Sequence, residues 1–366
     1  MSAPASLVDW DLAAAAARRL VRPGPRVGYH EAAALVEQLV GLADEAEGHV
    51  RDVTGMVPVD GVVDPTVVVD RVGWAEANVA GFQTLLDPVV EVLLARKPPT
   101  PLAAAVGRKV TGAQVGGLVS FLAGKVLGQY EIFLPPGQGT GRLVLVAPNL
   151  VETERALSLD SHDFRLWVCL HEVTHRTQFT AVPWLRAHVA SEVRAFVEVS
   201  NLDASALRQR LGAVATSVTD AVRGRGEGGL LDAVQTPEQK AVLDRITGFM
   251  SLLEGHADHV MDAVGPQVVP SLRTIRRRFE RRRGGTSPVD RVFRRLIGLE
   301  AKTRQYREGR AFVGAVVRAA GMDELNKVWT GPHTLPSLEE VRDPDRWMER
   351  VLRGGTLPGP APALPA

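Results

Sequence analysis

The chain has 366 residues, 45% hydrophobic and 23% charged, an ordinary balance for a globular protein long enough to bury a sizeable core. Its net charge of +1 gives no overall pull toward nucleic acid or an anionic membrane surface. A single cysteine, Cys169, excludes an intrachain disulfide and fits a reducing compartment.

The first residues, MSAPASLVDWDLAAAAARRL, carry Asp9 and Asp11 where a leader needs an apolar run. No signal peptide is read there, and a cytoplasmic location is expected. Residues 8 to 50 read as helix, with Ala33, Leu35, Val36, Leu39 and Leu42 at helical spacing. Residues 65 to 100 continue as helix until KPPTP (97 to 101) breaks the chain. GAQVGGLVSFLAG (112 to 124) is too short to span a bilayer and reads as a buried helix. In the longer helical stretch VGRKVTGAQVGGLVSFLAGKVLGQ (106 to 129), Gly112, Gly116, Gly117, Gly124 and Gly128 give a smooth face for another backbone, at about 1 kcal/mol of helix propensity each. YEIFLP (130 to 135) and GRLVLVAP (141 to 148), split by the turn PGQGT, read as a β-hairpin, the only sheet signal in the chain.

SLDSHDFRLWVCLHEVTHRTQF follows as a helix, capped by Asp160 or Ser161 with Asp163 in its first turn. Pro183 ends it, WLRAHVASEVRAFVEV forms a second helix, and RGRGEGG (223 to 229) marks a loop. A capping box then opens a long helix, with Thr236 at the N-cap, Pro237 in the first turn and Gln239 closing the box; it runs to about Gly265. Residues 271 to 310 carry fourteen Arg or Lys against four Asp or Glu. These charges surround Leu272, Ile275 and Phe279 at helical spacing with few aromatics, which favours a solvated helix face over a nucleic-acid surface. The tail GGTLPGPAPALPA cannot bury a core and is expected to be disordered. The expected architecture is mainly α (α+β): an N-terminal helical lobe (1–110), a catalytic core with a small sheet packed on the histidine helix (111–265), a C-terminal helical lobe (266–353) and the tail (354–366).

The sharpest chemical signal is HEVTH. A helix advances about 100° per residue, so His171 and His175 stand over one another and can point at one ion from adjacent turns. Glu172, about 100° from His171, can reach the open side of that ion, where a water would sit. Catalytic zinc takes three protein ligands, and LLEGHADHVMD (252 to 262) offers the third. Glu254 is the candidate, with Asp258 one turn on to accept the outer N–H of a ligating histidine. His256 and His259, about 200° and about 140° from Glu254 around the helix, compete with it. For a second oxyanion donor the chain offers Tyr29, Tyr130 and Tyr306, and Tyr306 is the choice, with His259 its rival. Either hairpin strand could offer an open edge to an extended peptide. Cys169 points away from the ligand face and reads as a small buried hydrophobe. His162 and His188 read as capping or surface residues, and Trp10, Trp74 and Trp329 as packing anchors.

LWVCLHEVTHRTQF, LLEGHADHVMDAVG, LGQYEIFLP and the opening VDWDLA…RLVRPGP resemble an actinobacterial family of zincin-like metallopeptidases. Its members are often labelled as associated with biosynthesis of the deazaflavin redox coenzyme, although nothing in this sequence looks like a deazaflavin site. The resemblance runs over roughly 8 to 350. It implies a mainly helical zincin fold, zinc held by His171, His175 and Glu254, and Glu172 as catalytic base. The expected function is a zinc-dependent hydrolysis of a peptide or protein substrate, with no membrane or nucleic-acid partner. The alternative is a catalytically silent zinc-binding scaffold; the intact Glu172 argues against it, because a structural site needs no base. Substrate and oligomeric state are not legible.

Overall fold

The computed structural model describes residues 6–96, 101–199, 236–284 and 299–354. The chain opens with α1 (Trp10–Leu20), capped by Asp9, whose carboxylate accepts from the Leu12 N–H at 3.0 Å. Helix α2 (Tyr29–Thr54) buries the stripe Leu35, Leu39, Leu42, Ala46 and Val50, spaced by three or four residues, and leaves Ala33 and Val36 in solvent. Gly55 then takes the left-handed conformation, φ 67°, that ends a helix without a Cβ penalty.

Helix does not follow directly. TVVV forms β1 (Thr66–Val69), where the sequence reading expected helix. The reason is local: four β-branched residues in a row, bounded by Pro65 and by Asp70. Asp70 then caps α3 (Arg71–Arg96) through the Gly73 N–H at 2.7 Å. Helix α4 (Pro101–Ala123) runs straight through the lobe boundary expected at residue 110. Its Gly112 and Gly116 lie on α1 so closely that added Cβ atoms would sit 2.4 Å from the Asp9 oxygen and 2.5 Å from the Ala13 oxygen.

Strands β2 (Gly128–Glu131) and β3 (Arg142–Val146) pair antiparallel, and β1 adds parallel to the far side of β3. The order among the described residues is β1-β3-β2, so β3 is central and β2 is the hairpin strand that lies at an edge. The hairpin starts two residues earlier than expected and stops at Glu131, where the Arg142 guanidinium pairs with the Glu131 carboxylate. Because β3 is buried on both faces, RLVLV reads as a continuous apolar run. Leu143 and Leu145 join one core, and Val144 and Val146 face another made by α1, α3 and α4.

Beyond the sheet come α5 (Ala147–Leu157), α6 (Ser161–Ala181) and α7 (Trp184–Val199). Asp160 caps α6 by accepting from the Asp163 N–H at 3.0 Å. Helix α8 (Pro237–Ala263) begins with the expected Thr236–Gln239 capping box. The basic helix α9 (Leu272–Gly284) tucks Leu272 and Ile275 into the α6 core and packs Phe279 on Trp167. It is therefore not a purely solvated face: Arg276 stacks on Trp167 and pairs with Asp258 and Asp262. Helix α10 (Leu299–Ala320) crosses α8, and short turns follow to residue 352. The expected loop at 223 to 229 and the tail from 355 lie outside the described residues. Among the described residues no helix is long and apolar enough to cross a membrane.

Candidate metal centre

The site stands on two helices held from several sides. Apolar residues leave α6 in more than one direction: Leu166, Leu170 and Val173 are fully buried, as is Cys169, whose thiol points to the Leu39 carbonyl of α2. Burial pushes the Cys169 thiol pKa well up, so it is inert. Arg176, also buried, donates to the Asp64 carbonyl and the Thr66 hydroxyl, both at 3.1 Å, and to Glu47 at 3.1 Å. One guanidinium thus pins α6 to the start of β1 and to α2. On the other side, α8 is pressed onto α10 through glycine. A Cβ on Gly255 would lie 2.2 Å from the Gly309 carbonyl carbon, and one on Gly309 would lie 1.9 Å from the Ser251 oxygen.

Between α6 and α8 the structure brings together His171, His175 and Glu254, whose ligand atoms all lie within 4.8 Å of one another. The two Nε2 atoms face each other at 3.2 Å, with the rings edge to face at 88°. The Glu254 Oε2 lies 3.5 Å from His171 Nε2 and 3.8 Å from His175 Nε2. That oxygen is buried with no hydrogen-bond partner among the described residues and faces the two imidazole nitrogens. Two imidazole nitrogens and an orphaned carboxylate oxygen aimed at one point are a donor set that fits a zinc ion. Burial disfavours a charged His175, but the Glu254 carboxylate outweighs it, together with Glu172 and Gln178, and lifts the pKa to about 9. Burial also works to raise Glu254, yet the two histidines hold its carboxyl well below the usual range. Both directions describe a pocket built for positive charge.

Glu172, one residue past the first histidine, is only 7% exposed. Burial pushes its pKa up, with Glu254 adding repulsion and the histidines partly offsetting both. Its side chain rests on the edge strand: a Cβ at Gly128 would stand 2.6 Å from the Glu172 Cγ. Gly128 was legible only as part of a smooth helical face; its place is in β2, beneath the carboxylate.

The other candidates go elsewhere. Asp258 does not meet a histidine; its Oδ1 accepts from Arg276 at 3.0 Å, because α9 lays that guanidinium across Asp258 and Asp262. The outer nitrogens are met by residues the sequence reading passed over: His175 Nδ1 lies 2.9 Å from Gln178 Oε1, and His171 Nδ1 lies 3.3 Å from Met261 Sδ. The signal was available for Gln178, three residues after His175 and so on the same helix face. His256 is fully buried against Trp329, with ring centres 5.4 Å apart, and is not among the converging ligands. His259 is half-buried near Asp262 and Arg310, and burial lowers its pKa. Tyr306 lies in α10, but its side chain falls outside the described residues. Tyr130 is engaged by Asp64 and stacks on Phe179, and Tyr29 is 82% exposed.

Among the described residues this is the one group of three metal-capable side chains with ligand atoms so close. The comparisons agree with its chemistry. No curated protein matches the chain. A solved structure from Chloroflexus aurantiacus, provisionally described as a hydrolase with a novel fold, is 33% identical and aligns with a TM-score of 0.66. That alignment covers 95% of this chain and 100% of the other. Residues 8–348 match the model of a family described as zincin-like metallopeptidase, which spans α1 to the last turns and takes in the whole site. The chain belongs to the zincin-like metallopeptidase family.

Proposed function

We propose that this protein is a zinc-dependent peptidase in which His171, His175 and Glu254 hold the ion and Glu172 is the general base. The observation that carries the reading is the convergence of three ligand atoms within 4.8 Å beside a buried, pKa-raised glutamate on the same helix. Zinc bound there supplies Lewis-acid polarisation of a carbonyl and brings the pKa of water from about 15.7 toward about 7. Glu172 takes the proton as water attacks the amide carbon and passes it to the leaving amine. Its raised pKa suits both halves of that task, since a base poised nearer neutrality also gives its proton back. Among the described residues strand β2 pairs with β3 on one side only, which supports an extended peptide adding along its outer edge. Tyr306 is the proposed second donor to the developing oxyanion.

Glu172→Gln separates this reading from a silent zinc scaffold. The variant should keep zinc and fold and lose about 10²- to 10⁴-fold in hydrolysis of a quenched-fluorescent peptide library. Equal turnover by parent and variant removes Glu172 from the mechanism. A zinc-loaded parent that cleaves no amide in the library leaves the scaffold reading standing.

A further inference from the structure

We infer that Gln178, set by the Leu253 carbonyl and by His256, is a positioning residue that holds His175 protonated at Nδ1 and so turns Nε2 toward His171 and Glu254. The argument is a chain of donors and acceptors with one fixed end. The Leu253 carbonyl can only accept, and it lies 3.0 Å from the Gln178 side-chain nitrogen. That fixes the amide orientation, because the flipped amide would set oxygen against oxygen. The Gln178 Oε1 therefore faces His175 Nδ1 at 2.9 Å and can only accept, so Nδ1 carries the hydrogen. A neutral imidazole has one N–H, which leaves the lone pair on Nε2, the nitrogen already 3.2 Å from its counterpart on His171.

The second amide hydrogen of Gln178 goes to His256 Nδ1 at 3.0 Å. His256 must then accept at Nδ1 and carry its own hydrogen on Nε2, which is buried without a hydrogen-bond partner among the described residues. Gln178 and His256 are both fully buried, so no solvent reorders this amide. The bond to Leu253 has a second consequence. Leu253 precedes Glu254, so one amide orients a histidine of α6 and ties down the backbone that carries the carboxylate of α8. His171 has no equivalent: its Nδ1 faces the thioether of Met261, a weak acceptor. Tautomer control is unequal between the two histidines, and it is concentrated on His175.

The protonation itself stands on the hydrogen bonds; its effect on metal affinity rests on the proposed zinc site. Both are read on the full-length protein. Long-range 1H–15N correlation of the histidine side chains should show His175 protonated at Nδ1 with zinc bound and, in the metal-free protein above about pH 9, where the ring is neutral, protonated at Nδ1 and not at Nε2. An unprotonated Nδ1 in either state overturns the inference, with no variant needed. Zinc affinity by chelator competition should fall about 10- to 100-fold in Gln178→Met, but less than about threefold in Met261→Leu. Unchanged affinity in Gln178→Met also overturns it, while the metal site stands. A parent that binds no zinc overturns the metal site instead, and the Nδ1 measurement on the metal-free protein still decides the inference.

Discussion

Glu172 has little freedom on the side of the sheet. Its Cγ lies where a Cβ at residue 128 would be, 2.6 Å away, so glycine there lets the strand pass beneath the carboxylate. Gly128→Ala must displace one or the other. Since a displacement of about 1 Å can cost about 100-fold in rate, hydrolysis should fall by 10- to 100-fold with zinc content unchanged. Loss of zinc with the activity would mean that the strand supports the ligands and not the base. At this scale HEVTH was legible because helix geometry alone aligns residues four apart. Glu254 was legible as the carboxylate in a mostly apolar stretch of a second helix. Gly128 and Gln178 were not. Their meaning comes from what lies across the fold from them, in one case α6 over β2 and in the other α8 over α6.

Helices α8 and α10 meet backbone to backbone. Gly309→Ala would drive a methyl into the Ser251 carbonyl, 1.9 Å from its ideal position, and force the helices apart. It should cost at least about 1–3 kcal/mol and weaken zinc binding, since Ser251 lies one turn before Glu254. Gly117→Ala is the contrast: nothing lies within 4 Å of its Cβ, and the gain in helix propensity should stabilise by up to about 1 kcal/mol. Equal effects at the two sites, read by urea midpoints, would contradict the packing account. The C-terminal turns rest on α8 at Gly248, and a buried pair holds them together. Arg350 donates to both Glu340 oxygens, at 2.6 and 2.8 Å, and to the His333 and Leu335 carbonyls. Burial works to raise the Glu340 pKa, but these bonds and Ser337 outweigh it and lower it. A lowered folded pKa stabilises above the unfolded value of about 4.3 and loses that contribution as pH falls. Glu340→Gln should therefore cost about 1–3 kcal/mol at pH 7, with a smaller gap at pH 4. A gap that is the same at both pH values would remove the ion pair as its cause. Among elements, caps and apolar stripes were legible because they are local. Strand β1 was not recognised, although its β-branched run was visible; its partner β3 lies 77 residues on, and parallel pairing leaves no turn between them.

At the scale of the whole molecule, three cores among the described residues share a few long elements. Strand β3 divides the core of α1, α3 and α4 from the core around α6. Helix α8 starts in the core built with α10 and the C-terminal turns, through Phe249 and Leu252, and ends in the α6 core, through Val260 and Met261. Glu254 sits between those two sets of residues, so an ion bound by His171, His175 and Glu254 links the two cores. Zinc at about 100 times its dissociation constant should stabilise by about 2.7 kcal/mol, and chelation should lower the melting temperature accordingly. Which helices meet was not legible, because amphipathic stripes state that a face is buried and not against what. The most direct test of the central claim is metal content, by plasma mass spectrometry, of the parent and of Glu254→Ala purified without added metal. The account predicts about one zinc per chain in the parent and much less in the variant. A parent without zinc even after incubation with it, or a variant that holds as much as the parent, would contradict the account.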